Sequence, residues 1–115
     1  MAPQLAQAMR IAEKLPGFSY AATDQESAWK IDRIPGALGV TTLSLILSEN
    51  RPLRALTLNG VAPTADNGAS GAYPHVIRYS LVFKAAPAAV IDRFAAFVQS
   101  PAGRDILTQS GHWIP

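Results

Sequence analysis

Val76-Ile77-Arg78-Tyr79-Ser80-Leu81-Val82-Phe83 is followed, after Lys84-Ala85-Ala86, by the run from Pro87 to Gln99. The first stretch is an almost continuous series of branched and aromatic residues, the composition of a buried strand. The second changes period. Val90, Ile91, Phe94, Phe97 and Val98 recur at helical spacing and predict a helix with these residues as its buried face. A strand running into a helix sets the pattern by which the rest of the chain is read.

Working back toward the N-terminus, the same alternation recurs. Leu53 to Leu58 reads as a strand, and Asn59-Gly60 as a turn pair. Ala37 to Thr41 reads as another strand. Thr42 then caps a short helix through Leu43, Leu45, Ile46, Leu47 and Ser48, which Asn50 to Pro52 breaks. Thr23 to Glu26 has the form of a capping box and opens a helix from about Asp24 to Arg33, ended by Pro35-Gly36. Phe18 to Ala22 is a short strand. Residues 3–15 form an amphipathic helix on Leu5, Ala8, Met9, Ala12 and Leu15, with Pro3 at a tolerant early position and Pro16-Gly17 as the stop. Thr64 to Tyr73 admits a capped helical turn, but Gly68 and Gly71 weaken a long helix. Toward the C-terminus, Ser100-Pro101 starts a last helix, Gly111 closes it, and His112 to Pro115 runs out extended. Strands alternating with helices predict an α/β fold, a sheet flanked by helices, in one domain over residues 1–115. The pattern does not fix the strand order.

Composition narrows the function classes. The chain has 115 residues, 49% of them hydrophobic and 16% charged, enough for a packed core. Its formal net charge of +2 is small and scattered, and gives no nucleic-acid footprint. There is no cysteine, so disulfide and thiolate metal sites are excluded; His75 and His112 are not at metal-ligand spacing. No segment approaches the ~20 apolar residues of a membrane span. Met1 to Leu15 lacks the basic start and apolar run of a signal peptide.

Several local patterns line up with one family. Thr23-Asp24-Gln25-Glu26, followed by Ile34-Pro35-Gly36-Ala37-Leu38-Gly39-Val40, resembles the second-lobe segment of phosphate-type periplasmic binding proteins, the substrate receptors of ABC importers, which write a pattern close to PGAIGY here. Leu58-Asn59-Gly60-Val61-Ala62-Pro63-Thr64 is similar to their NGVxPT stretch. Gly71-Ala72-Tyr73-Pro74 with Arg78-Tyr79-Ser80-Leu81-Val82 resembles their return strand, and Ser100-Pro101-Ala102-Gly103 with Ile106-Leu107 and Gly111 their closing helix. The likeness runs from about residue 9 to 115. Tyr79 stands where proline is usual and Ala102 where glutamate is usual. The family's Arg and Ser-Gly-Thr ligand turn is absent; Ser70-Gly71 is followed by Ala72.

The resemblance implies a periplasmic-binding-protein-like lobe, the C-terminal half of an incomplete two-lobe receptor about twice this length: a fragment, a truncated gene product or a trimmed chain. It implies a periplasmic or extracytoplasmic location and an ABC permease as partner of the full receptor.

The chemistry to look for is oxyanion capture. Helix N-termini carry unpaired N–H groups and a partial positive charge, which suit phosphate-like anions without a cofactor. Two openings qualify, at Thr23, Asp24 and Gln25 and at Thr41 and Thr42 through Ser44. Plain capping accounts for the same residues. Asp24 opposes an anion unless a proton or hydrogen bond is shared. Arg78, in an otherwise apolar strand, can match an oxyanion bidentately or stay on an exposed face. Arg51 and Arg54 read as solvated. Asp66, Ser70 and His75 lack a nucleophile elbow, so no catalytic triad and no enzyme are expected. Gly68-x-x-Gly71 lacks the strand and helix of a dinucleotide site. Trp29 and Trp113 read as core or interface anchors.

The expectation is therefore a non-enzymatic substrate-binding component of a phosphate-type ABC import system, or its C-terminal portion. The alternative is a standalone interaction or oligomerising module without ligand binding. Its homo-oligomer would use apolar faces such as Phe94 and Phe97, left uncovered by the absence of a second lobe.

Overall fold

The computed structural model describes residues 3–114, without the side chains of Gln4 and Leu5, so part of the stripe expected on the first helix and the final Pro115 lie outside the described residues. Six helices follow one another: α1 Pro3–Ala12, α2 Asp24–Arg33, α3 Leu43–Ser48, α4 Ala65–Ala69, α5 Ala89–Gln99 and α6 Pro101–Gln109. Four of them begin on the hydroxyl caps that their sequences contain. Thr23, Thr42, Thr64 and Ser100 each accept from the amide three residues on, that of Glu26, Leu45, Asn67 and Gly103 respectively. Each cap satisfies one N–H that the helix itself cannot. The Thr64 to Tyr73 region resolves as the single capped turn of α4.

Among the described residues the expected α/β sheet is absent, which overturns the periplasmic-binding-protein-like lobe. Phe18 to Ala22, Ala37 to Thr41, Leu53 to Leu58 and Val76 to Phe83 form no ladder among the described residues; the one strand-like pairing is an isolated antiparallel bridge between Leu58 and Val61. The Asn59-Gly60 turn that makes it is well formed. Both residues have positive φ, 52° and 80°, and Leu58 and Val61 exchange hydrogen bonds of 2.9 and 3.0 Å. This is the geometry that suits a hairpin. The ladder ends at once because Pro63 has no N–H to donate and Thr64 already caps α4. The other strand-patterned runs have no neighbour to pair with, and an isolated strand has nothing to hold it.

The missing sheet leaves little interior. Ala28 on α2 and Leu45 on α3 are the buried hydrophobic side chains. The face expected to be buried on α5 is open instead: Val90, Ile91, Phe94 and Phe97 are exposed. The periodicity was that of an amphipathic helix, but no layer covers it. The accessible surface is 8889 Å², against about 6,100 Å² for a folded monomer of this mass. The radius of gyration is 16.7 Å and the extents are 52 × 29 × 28 Å, where a compact domain of this length has a radius near ~13 Å.

Packing is local. α2 lies on α3, and α5 forms a hairpin with α6. Gly103 permits that hairpin, since a Cβ there would come within 2.8 Å of the Val98 carbonyl oxygen. Two further close approaches tie the C-terminal end back to the middle of the chain. Gly111, at φ 79°, lies against Leu43 and Leu47, and Trp113 covers Gly68.

Candidate functional site

The two helix starts singled out in the sequence come together. The Ser27 hydroxyl donates to the Val40 carbonyl at 2.6 Å, and the Thr41 hydroxyl donates to the Asp24 carbonyl at 3.3 Å. These bonds lay the 40–42 segment along the first turn of α2. Gly39 leaves room for Ile31 there: a Cβ would lie 2.7 Å from Cδ1, the movable end of that side chain. The chain then turns directly into α3, so that the N-terminus of α3 opens beside that of α2.

Beside them, and along α3 to its C-terminal end, is an open, polar cavity of about 370 Å³. Asp24 and Gln25 of α2 line it, with Thr42, Ser44, Ser48 and Glu49 from α3 and its ends. Tyr79 and His112 complete the wall from distant parts of the chain. Their rings meet edge to face with centroids 5.9 Å apart. His112 is delivered by the left-handed turn at Gly111, and its own amide donates to the Leu107 carbonyl at 2.9 Å.

The six expected site residues divide. Asp24, Gln25 and Thr42 line the cavity. Thr23 stands behind it, with its hydroxyl occupied by the Glu26 amide at 3.1 Å. Thr41 holds the two helix starts together through its bond to Asp24. Arg78 is exposed and lies outside the lining, although its neighbour Tyr79 is part of it. Sequence reading missed Tyr79, Glu49 and His112. No short-range signal marks Tyr79 or His112, because what places them is the path of the chain over more than 30 residues.

Charge around the cavity is mixed. Asp24 and Glu49 bring carboxylates, and Glu49 is paired with Arg51 through contacts of 2.6 and 2.8 Å. Behind the α2 start, Glu26 accepts from the Ala22 amide at 2.7 Å and pairs with Lys30 at 2.8 Å. The expected box thus closes one residue early, on Ala22 rather than on Thr23. Lys30 also donates to the Tyr20 carbonyl. The Lys30 hydrogen bond, and then the Ala22 amide, hold the Glu26 carboxyl below its ordinary range.

Other candidates separate. Ser70 donates to the Asn67 carbonyl at 3.3 Å, and His75 packs edge-on against Tyr73 with centroids 5.8 Å apart. Trp29 is half exposed with the Arg33 guanidinium 5.5 Å from its ring centre, a surface cation–π pair. No group of three or more His, Asp or Glu residues that could hold a metal occurs among the described residues. A second, apolar cavity of about 380 Å³ runs between α3, α4 and α6, lined by Leu43, Leu47, Ala55, Ala62 and Pro63 among others. No described helix is long and apolar enough to cross a membrane. Comparison with protein-family models, curated proteins and solved structures finds no match.

Proposed function

We propose that this chain is the substrate-binding component, or the C-terminal portion of one, of an ABC import system of the phosphate type, and that it holds a small oxyanion without covalent chemistry. The observation that carries the reading is the meeting of the α2 and α3 N-termini on one polar cavity. The first amides of each helix have no partner within the helix, and their dipoles favour negative charge. Thr42 and Ser44 add hydroxyl donors near the start of α3, Ser48 adds one at its far end beside Glu49, and His112 adds a ring N–H. The anion-binding part of this reading rests on the helix starts; the transport part rests on the sequence resemblance alone.

The two carboxylates set a condition on the ligand. Arg51 answers the charge of Glu49. Asp24 tolerates an anion best when that anion still carries a proton to share, which favours hydrogen phosphate over sulfate. The working location would be periplasmic or extracytoplasmic, where the loaded protein meets its permease.

This chain lacks the family's Arg and Ser-Gly-Thr ligand turn, so the expected affinity is weak. Phosphate at millimolar concentration should shift the backbone amide resonances of Gln25, Thr42 and Ser44 in a two-dimensional NMR titration, with sulfate shifting them less. If phosphate, sulfate, molybdate and tungstate all leave those resonances in place, the ligand claim fails. Micromolar binding by this chain alone would contradict the stated role of the missing turn.

A further inference from the structure

The run from Pro74 to Lys84 passes through 11 residues without helix, turn or bend. Among the described residues no hydrogen bond reaches its backbone. Past His75, which is half-buried, its side chains are open: Ile77, Tyr79, Leu81 and Phe83 are exposed, and Val82 is 90% exposed. A drawn-out backbone with free N–H and C=O groups is a template for pairing with another strand. We propose that residues 76–84 pair antiparallel with the same residues of a second copy of this chain, forming a two-fold ribbon that is the core of a homodimer. This inference does not rest on the anion reading, although Tyr79 belongs to both surfaces.

The sequence of the run argues for a second copy as occupant, because it is complementary to itself when paired about Ser80. Pairing about Ser80 sets Ile77 against Phe83 of the partner subunit and Tyr79 against Leu81 of the partner subunit. All four positions lie on one face, so the two copies present a joint apolar surface with aliphatic–aromatic cross-strand pairs. On the other face, Arg78 stands opposite Val82 of the partner subunit, Val76 opposite Lys84 of the partner subunit, and Ser80 opposite its own copy. Shifting the centre to Leu81 would set Arg78 against Lys84 of the partner subunit, a like-charge pair. Shifting it to Tyr79 keeps the apolar face but shortens the ribbon, because Lys84 then stands opposite Pro74 of the partner subunit, which has no N–H to give; the Val82 variants separate the two registers, since Val82 would then face Val76 of the partner subunit. A slip that pairs odd with even positions would turn the apolar face of one copy to the polar face of the other.

The surface available agrees. The chain carries 8889 Å² of accessible surface, its exposed large hydrophobics running from Ile11 to Ile106, and the total is roughly 2,800 Å² above a folded monomer of its mass, so there is area to bury in this run and elsewhere. A standard interface takes about 800 Å² from each partner, and obligate dimers take more. The uncovered residues Val90, Phe94 and Phe97 of α5 follow the ribbon directly in sequence and supply further apolar area.

The test is the dissociation constant of the whole chain by sedimentation equilibrium, read on a pair of opposed variants. Val82 is so exposed that neither change costs the monomer any packing. Val82→Lys places a second cation opposite Arg78 of the partner subunit, twice per dimer, and should weaken it roughly five- to tenfold. Val82→Glu should tighten it by a similar factor. The gap between the two should narrow in 1 M salt. Because the chain has no cysteine, Ser80→Cys supplies one thiol per copy, and mild oxidation should convert the variant to a covalent dimer. Wild-type chain that stays monomeric to millimolar concentration overturns the proposal and leaves the run to a different polypeptide. Lys and Glu variants that shift in the same direction, or association into mixed larger species, overturn it too.

Discussion

The corner where α2 meets α3 is largely polar along α2, and the stretch from Pro74 through α5 is rich in apolar residues, yet only the corner closes. Ala28 and Leu45 are buried there, two threonine hydroxyls cap the helices, and Ser27 and Thr41 bond the joining segment to α2. In the other stretch no side chain of α5 is buried and the preceding run has no backbone partner among the described residues. The difference is one of range. A helix cap draws its partner from three residues away, whereas a strand needs another strand, and an amphipathic helix needs a layer to lie on.

Mutations can break this contrast or sharpen it. The largest effect is expected for Leu45→Ala, which empties one of the few filled positions and should cost about 2 to 3 kcal/mol by urea unfolding. Thr23→Ala removes the α2 cap and should cost about 1 kcal/mol, with the loss of helicity confined to α2 in amide exchange. Phe94→Ser, measured at a concentration where the chain is monomeric, should change stability by less than about 0.5 kcal/mol, as surface substitutions do. If it costs as much as Leu45→Ala, the α5 face is covered and the contrast collapses.

The smallest effect is a pH dependence at the α2 start. The Glu26 carboxyl is held below its ordinary value of 4.5, first by Lys30 and then by the Ala22 amide. The folded state therefore binds this proton less readily than the unfolded state. Its stabilising contribution is complete above the ordinary carboxylate range and is lost as pH falls through the lowered folded value. A carboxyl carbon titration should place the Glu26 midpoint below 4.5, and Lys30→Met should move it back up. A midpoint unmoved by that change would remove the pair from the account of the corner.

How much was legible follows the same division. Thr23, Thr42, Thr64 and Ser100 announced their helices because the capping partner lies within the same few residues. Asn59-Gly60 announced its turn because both residues tolerate positive φ. The helix starts of the candidate site were visible for the same reason. The strands were misread because branched and aromatic composition reports suitability for a sheet, not the presence of a neighbour. The Val90 to Val98 stripe failed in parallel: spacing shows which face is apolar and nothing about what covers it. Tyr79 and His112 meet only because Gly111 turns the chain back against Leu43.

That return at Gly111 has a consequence for the integrity of the chain. In a lone copy, the open span from Pro74 to Ala88 is the natural place for a protease to cut. Yet the piece beyond the cut would still be moored, by Gly111 against Leu43 and Leu47 and by Trp113 over Gly68. Cleavage there would sever the covalent thread and leave the particle whole: one peak on a sizing column, two bands on a denaturing gel.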